Sequence, residues 1–408
     1  MKICKMMLPV VFLTAVALFA AGASDFREDP AKYWDFKELS QVPICRPCPE
    51  PMSRFKDFEP LLVRGKGPEG SEAEFFCYFA KPEGALPEGG FPAVLFAHGA
   101  GGTADPYYVD MWVKTGFAVI ALDYYNEMPA PGLTNGVSRG GRLPRIALPG
   151  GKRSDIRANV ANMVLAHSLL LSRPEVNPKK TAFVGLSWGS WYGAIVAAID
   201  SRYTGAVEIY CGDAKRGDSS LTNGRFLHAA KCPMWWFVST NDRNVTPMTL
   251  AEGWAECGRL AGRTIVNDLP HGSIGFEFAG CMRMARHFTM GEPSLPILAE
   301  VKVADGRISA KIVNPGKGVD HAKVAWTEST DEASWKRKWQ YAPADVKGGA
   351  VCAAVPANAT QIYLVAYEKD EGRFGELCGA TTFVELVTDK ATGKVYEKAG
   401  RARRVRMD

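Results

Sequence analysis

The chain has 408 residues, 47% hydrophobic and 23% charged, values that exclude a disordered or collagen-like protein. That length suffices for one large domain plus a small one. The formal net charge of +5 is too mild to argue for a nucleic-acid partner.

At the N-terminus, Lys2 and Lys5 precede the apolar run Met6 to Ala20, and Ala21-Gly22-Ala23 supplies small residues before Ser24. This is the pattern of an export signal over residues 1–23, with cleavage near Ala23-Ser24. The run is short for a span of ~20 residues and contains Pro9, which disfavours an uncleaved anchor. Cleavage would leave a secreted or periplasmic chain, with the charge lowered from +5 to +3 by loss of Lys2 and Lys5. The remainder has no stretch apolar enough to cross a bilayer, so no stable membrane insertion is expected.

Ten cysteines are present, and nine follow Cys4. Export permits disulfides, and an odd number leaves at least one thiol free or paired between chains. Cys45-Arg46-Pro47-Cys48 lacks the second pair that a zinc site needs, and it lies in Pro-rich coil. It reads as a local disulfide or two plain thiols. Cys352 and Cys378 are candidates to bridge strands.

Residues 24 to about 70 read as an N-terminal wrap leading into a first hairpin, with a strand at Ala73–Phe79 and a turn over Pro82–Gly90. Four near-continuous apolar runs follow: Phe91–Ala97, Phe117–Leu122, Thr181–Val184 and Met234–Val238. Such runs fit strands buried on both faces of a parallel sheet. Helical spacing lies between them at Asp155–Ser172, Trp188–Ile199 and Thr249–Ala261. The alternation implies βαβ units and a doubly wound, mostly parallel sheet over residues 24–293. Between Tyr124 and Arg153 the pattern stops. This stretch of about 30 residues, rich in Gly and Pro and carrying Arg139, Arg142, Arg145, Lys152 and Arg153, reads as an excursion over the active site. Its cations are suited to acidic sugars, although a solvated loop face has the same composition. Pro293-Ser294-Leu295-Pro296 reads as a linker. Beyond it, Ile308–Ile312, Lys323–Thr327, Gln361–Tyr367 and Thr381–Val387 predict a β-sandwich over 297–390, followed by a basic tail, 391–408.

The chemistry centres on Gly185-Leu186-Ser187-Trp188-Gly189. G-x-S-x-G between a predicted strand and helix is a nucleophile elbow, which exposes the serine hydroxyl at a helix N-terminus. Serine needs a base, and in this arrangement the chain order is Ser, acid, His. Among His228, His271 and His287, His271 fits best. It lies in a loop, Leu269-Pro270-His271-Gly272, after the strand-like Arg263–Val266. Asp242 follows the strand-like Trp235–Val238 and is the expected acid, with Asp213 the alternative. The oxyanion hole needs two backbone N–H groups. Trp188 is expected to give one. The loop His98-Gly99-Ala100-Gly101-Gly102-Thr103 is expected to give the other, from Ala100 or next from Gly101, with His98 ordering the loop. Tyr124, Tyr125 and Trp191 are candidate substrate-stacking residues, with core packing the alternative for each.

The segments Ala97–Thr103, Leu165-Ala166-His167-Ser168-Leu169-Leu170, Gly185–Gly189 and Leu269–Gly272 resemble bacterial acetylxylan esterase-like proteins of the wider dienelactone hydrolase superfamily, over roughly residues 60 to 290. The resemblance extends to Ala333-Ser334-Trp335 through Trp339 in some members. It implies an α/β-hydrolase fold, the triad Ser187, Asp242 and His271, and ester hydrolysis without a metal or cofactor. Alanine at position 100 and serine at position 190 stand where members often have glycine, and both are small. Dienelactone hydrolase proper uses a cysteine nucleophile, so serine at 187 argues against that lactone chemistry. A small-molecule or polysaccharide ester, with a carbohydrate acetate the one the resemblance suggests, is the expected substrate. A serine peptidase of the prolyl oligopeptidase type shares the fold and motif, but too few residues precede His98 to hold that family's propeller. A non-catalytic carbohydrate-binding protein on the same fold is the other alternative.

Overall fold

The computed structural model describes residues 27–48, 57–129, 145–148, 155–211, 223–245, 247–269, 271–329, 333–388 and 395–397. The expected export signal, Asp213, the loop cations Arg139, Arg142, Lys152 and Arg153, and the basic residues Arg401 to Arg406 lie outside the described residues.

The first sheet is built, in chain order, from β1 (Cys45–Pro47), β2 (Glu59–Lys66), β3 (Glu72–Ala80), β4 (Phe91–Ala97), β5 (Ala118–Asp123), with the short pair β6 (Glu127–Pro129) and β7 (Arg145–Ala147) set aside, then β8 (Val176–Leu186), β9 (Gly205–Ile209), β10 (Met234–Ser239) and β11 (Leu260–Val266). Its spatial order is β1-β2-β3-β5-β4-β8-β9-β10-β11. The strands from β5 to β11 pair in parallel, whereas β1, β2 and β3 form antiparallel pairs at the other edge. The parallel strands are apolar and buried because helices cover both faces. The helices are α1 (Phe36–Leu39), α2 (Pro106–Val113), α3 (Ile156–Leu171), α4 (Trp188–Ile199), α5 (Pro247–Glu256) and α6 (Ala279–Met290). From β4 the chain passes to β5 on one side, and β8 then takes the other side of β4. The connections therefore diverge at the C-terminal ends of β4 and β8, a position where open α/β sheets place ligands.

Several elements go beyond the sequence reading. α2 starts on Asp105-Pro106, where the Asp105 side chain accepts from Tyr107 N and Pro106 fills the first turn. That signal was legible in the sequence, and the helix anchors Trp112 fully inside. α3 is buried along Ala158–Leu170, more completely than its amphipathic spacing suggests. The N-terminal wrap covers it: Ser168 Oγ donates to Leu39 O (2.8 Å), and Trp34 Nε1 donates to Arg157 O (2.9 Å).

The remaining strands form an antiparallel β unit: β12 (Ile297–Ala304), β13 (Arg307–Asn314), β14 (His321–Thr327), β15 (Gln340–Lys347), β16 (Ala350–Ala354), β17 (Gln361–Tyr367), β18 (Cys378–Ala380), β19 (Val384–Thr388) and β20 (Val395–Glu397). β15 pairs with β14 through Gln340–Ala344 and with β16 through Asp345–Lys347, so one strand serves two layers. Between the layers lie Ile308, Val324, Val351, Ile362, Leu364 and Val384.

The expected linker is packed rather than free. Leu295 is fully buried, and Pro293 O accepts from Arg283 Nε (2.7 Å). Thr264 Oγ1 on the edge strand β11 donates to Cys378 O on β18 (2.6 Å), and Phe383 packs against Trp254 and Trp339. The hydrophobic core thus continues from one unit into the other. Cys45, Cys352 and Cys378 are free thiols, so the bridge considered for Cys352 and Cys378 is not formed. Among the described residues, no helix is long and apolar enough to cross a membrane.

Candidate active site

β8 delivers a buried apolar segment that turns abruptly into α4. Ser187 sits at the turn with φ 55° and ψ −118°, a conformation that costs on the order of 1–3 kcal/mol outside glycine. Its surroundings hold it there: Ser187 N donates to Ile209 O (2.8 Å), while Ser187 O accepts from Trp191 N (2.9 Å) and Ser190 Oγ (2.8 Å). The two motif glycines are required by close approach. A Cβ on Gly185 would lie 2.7 Å from the Gly189 carbonyl, and one on Gly189 would lie 2.3 Å from Ala97 O and 2.5 Å from His98 O. The helix that carries Ser187 is thus pressed directly onto the end of β4.

Asp242 and His271 arrive from the ends of β10 and β11. Asp242 is 1% exposed, and its Oδ1 accepts from Asn244 N (2.7 Å) and Val245 N (3.0 Å), which fixes the carboxylate in a tight turn. Its Oδ2 lies 2.7 Å from His271 Nδ1, and His271 Nε2 lies 2.8 Å from Ser187 Oγ. The carboxylate selects the tautomer in which Nδ1–H donates to Asp242 and Nε2 accepts the serine hydroxyl. One hydrogen-bonded chain thus runs from a buried carboxylate to a partly open serine. Tyr210 packs its ring 4.6 Å from the imidazole, and burial keeps its hydroxyl protonated well above the usual tyrosine range. The acid and base loops are also tied together. Ser239 Oγ donates to Leu269 O (2.7 Å) and accepts from Leu269 N (3.1 Å), and Thr240 Oγ1 accepts from Asp268 N (2.9 Å). Tyr210, Ser239 and Thr240 were not singled out from the sequence, because small polar groups at strand ends carry no motif.

The loop after β4 lies beside the elbow. A Cβ on Gly99 would be 3.3 Å from Ser187 Cβ, and Gly102 N closes the turn onto Gly99 O (2.9 Å) around Ala100 and Gly101. Trp188 opens α4, where a first-turn N–H has no intrahelical acceptor. His98 orders the loop: its ring Nδ1 donates to Gly99 O (2.7 Å), Nε2 faces Asp123 at 3.5 Å, and the ring stacks on Tyr124 at 4.2 Å.

The chain has the α/β-hydrolase fold. The sheet order, the divergence between β4 and β8 and the strained Ser187 turn together decide this. No family model and no curated protein matches the chain. Among solved structures it is similar to an acetyl xylan esterase from a Paenibacillus species, at 16% identity over 64% of this chain and 97% of that one, with a TM-score of 0.45. An acetyl xylan esterase from a Thermoanaerobacterium species aligns at 15% identity over 65% and 94%, TM-score 0.45. A puromycin-hydrolyzing peptidase from Mycobacterium tuberculosis aligns at 17% identity over 57% and 39%, TM-score 0.40.

The hydrolase fold separates the remaining candidates. His287 lies on α6 with Nδ1 on Glu292 O (2.6 Å), and His228 sits in a short helical turn, Leu227–Ala229; His271 is the histidine at Ser187. For the candidate stacking residues the burial favours the core-packing alternative over stacking on a substrate. Tyr124 is 0%, Tyr125 4% and Trp191 8% exposed, so their rings are not open platforms. The physical reason lies in β5, whose end dives beneath the His98 loop. There the Tyr124 hydroxyl donates to His98 O (2.7 Å), making Tyr124 a support of that loop. Trp191 stands edge-on to Trp188 at 4.4 Å, and Trp188 is the aromatic of this pair that keeps open surface next to Ser187. Arg145, one of the cations of the Tyr124–Arg153 stretch, is paired with Glu127 (2.6 Å) and donates to Gly102 O (3.2 Å). Among the described residues, no group of three or more His, Cys, Asp or Glu is placed to hold a metal ion.

Proposed function

We propose that this protein is a serine carboxylic-ester hydrolase working through an acyl-enzyme. The observation that carries the reading is the Asp242–His271–Ser187 hydrogen-bond chain ending at a strained, partly open serine. In the first half-reaction Ser187 Oγ attacks the ester carbonyl as His271 Nε2 takes its proton. Asp242 stabilises the imidazolium that forms. The N–H groups of Trp188 and Ala100 receive the oxyanion. His271 then returns the proton to the leaving alcohol, and water repeats the cycle on the acyl-serine.

The proposed substrate is a short acyl ester of a carbohydrate. This rests on the sequence resemblance, and the partly exposed Trp188 beside the nucleophile is compatible with a sugar ring. Export belongs to the same proposal and rests on the pattern of residues 1–23.

The test compares the purified protein with Ser187→Ala on p-nitrophenyl acetate, longer acyl esters, acetylated xylan and a peptide panel. Ser187-dependent release of acetate from the polysaccharide is expected. Cleavage of peptides alone would replace the esterase reading by a peptidase, and activity that survives in Ser187→Ala would remove the mechanism.

A further inference from the structure

The connection between β14 and β15 reaches from the C-terminal unit to the residue that precedes the acid. Asn241 Nδ2 donates to the backbone carbonyls of Trp335 (3.1 Å) and Arg337 (2.7 Å), and Asn241 Oδ1 accepts from Thr240 Oγ1 (2.5 Å). Asn241 N donates to Ser239 Oγ (3.2 Å), the hydroxyl that also holds Leu269 in the His271 loop. Asn241 therefore joins the C-terminal unit to the acid loop and, through the Ser239 and Thr240 hydroxyls, to the base loop. Its orientation is forced, because two carbonyl oxygens can only accept and both face its nitrogen. From the far side the same connection is anchored by Arg337 Nη1 on Gln361 Oε1 of β17 (2.7 Å), and on the near side the Trp335 ring lies 5.7 Å from the Arg243 guanidinium.

We propose that Asn241 is a positioning residue through which the C-terminal unit fixes Asp242 against His271, so that residues 333–337 belong to the catalytic apparatus. The inference rests on the reading of Ser187, His271 and Asp242 as the relay. Asp242 touches His271 directly, whereas Asn241 acts only through the loop that carries it. Arg243 and Asn244, the next residues, are exposed, so the turn that Asp242 closes on Asn244 N and Val245 N meets the C-terminal unit through Asn241 and through the Arg243–Trp335 ring contact. A displacement of about 1 Å in such a group lowers rates by as much as about 100-fold.

The experiment compares full-length wild type, Asn241→Ala, Asn241→Asp, Gln361→Ala and the Asn241→Ala/Gln361→Ala double variant. Two rates are measured across the pH range on either side of neutrality: labelling of Ser187 by a fluorophosphonate, and turnover of p-nitrophenyl acetate. Asn241→Ala is expected to lower kcat about 10-fold with KM nearly unchanged. Its acid limb of rate against pH should move towards lower pH, because a looser carboxylate supports the imidazolium less. Asn241→Asp, which turns a carboxylate towards two carbonyl oxygens, should not rescue. Gln361→Ala should move the same quantities less, and the double variant should be no worse than Asn241→Ala alone, because both act through one loop. Should Asn241→Ala fail to fold, Gln361→Ala carries the test with the same signature. A folded Asn241→Ala with unchanged kcat and an unmoved acid limb would overturn the inference, as would additive effects in the double variant. Wild type that resists labelling at Ser187 would instead overturn the relay reading, and this inference with it.

Discussion

Replacing Gly189 by alanine tests the packing on which the site depends. The added Cβ would stand 2.3 Å from Ala97 O and 2.5 Å from His98 O, against an ordinary contact of 3.4 Å or more. Both neighbours are backbone, so no side-chain rotation relieves the overlap. The end of β4 and the start of α4 must separate by about 1 Å, which carries the His98–Gly102 loop away from Ser187 and Trp188 N–H. Overpacking of this kind costs about 1–3 kcal/mol of stability, and a misplacement of about 1 Å in reacting groups costs about 100-fold in rate. Gly272 supplies the control. It adjoins His271, but nothing lies within 4 Å of its would-be Cβ and its backbone is extended. The assay is kcat/KM on p-nitrophenyl acetate together with thermal unfolding of both variants. Gly189→Ala should lose about 100-fold in kcat/KM and melt lower, while Gly272→Ala should stay within about two-fold of wild type. A Gly189→Ala variant with wild-type rate and melting temperature would refute the packing of α4 on β4 as the element that sets the His98–Gly102 loop.

Three further outcomes follow from buried groups. Glu208 on β9 is fully buried, and burial pushes its carboxyl well above the usual carboxylate range. Its contribution is therefore fully present below the unfolded value of about 4.3 and declines as pH rises from there towards the folded value, at about 1.4 kcal/mol per pH unit. Glu208→Gln should melt higher than wild type above neutrality, with the gap closing towards pH 4; an equal gap at all pH values would refute this. Asp200 is buried, which on its own would raise its pKa, but hydrogen bonds from Arg202 (2.8 and 2.6 Å) and His167 (2.8 Å) outweigh burial and hold the carboxyl below its usual range. That stabilisation is present above about pH 4 and lost as pH falls further. Urea unfolding of Asp200→Asn should therefore show a deficit of about 3–5 kcal/mol at neutral pH that shrinks in acid, and a deficit independent of pH would contradict it. Thr264 Oγ1 donates to Cys378 O (2.6 Å) and accepts from Trp235 Nε1 (3.2 Å) where the two units meet. Thr264→Val leaves two buried groups unsatisfied and should cost about 2–4 kcal/mol in denaturant unfolding; a loss below about 0.5 kcal/mol would show that the contact is replaceable.

The parallel strands were legible because burial on both faces leaves unbroken apolar runs, as in Phe91–Ala97 and Met234–Val238. The elbow was legible because a strained turn between strand and helix tolerates only small neighbours, which writes G-x-S-x-G into the chain. β1, β2 and most strands of the C-terminal unit were less visible. They are short or half-exposed, and their alternation mixes with surface residues; β15 reads Gln340-Tyr341-Ala342-Pro343-Ala344-Asp345-Val346-Lys347. For Tyr124 and Tyr125 only the structure separated stacking from the core-packing alternative, because proximity in sequence to a site loop says nothing about which way the chain turns after β5.

What the sequence determined by itself was the inventory of chemistry: a serine in a strand-to-helix turn, an acid and a histidine after later strands, and a glycine-rich loop after the first buried strand. These are properties of local backbone geometry and chain order, and both are written residue by residue. Only the tertiary structure decided that His271 and Asp242 meet Ser187, that Tyr124 supports the loop rather than a ligand, and that the carbonyls of Trp335 and Arg337 reach Asn241. Each of these contacts joins segments brought together by sheet order and core packing. Such contacts depend on the sum of many weak burial terms across the chain and leave no pattern at either end of the contact.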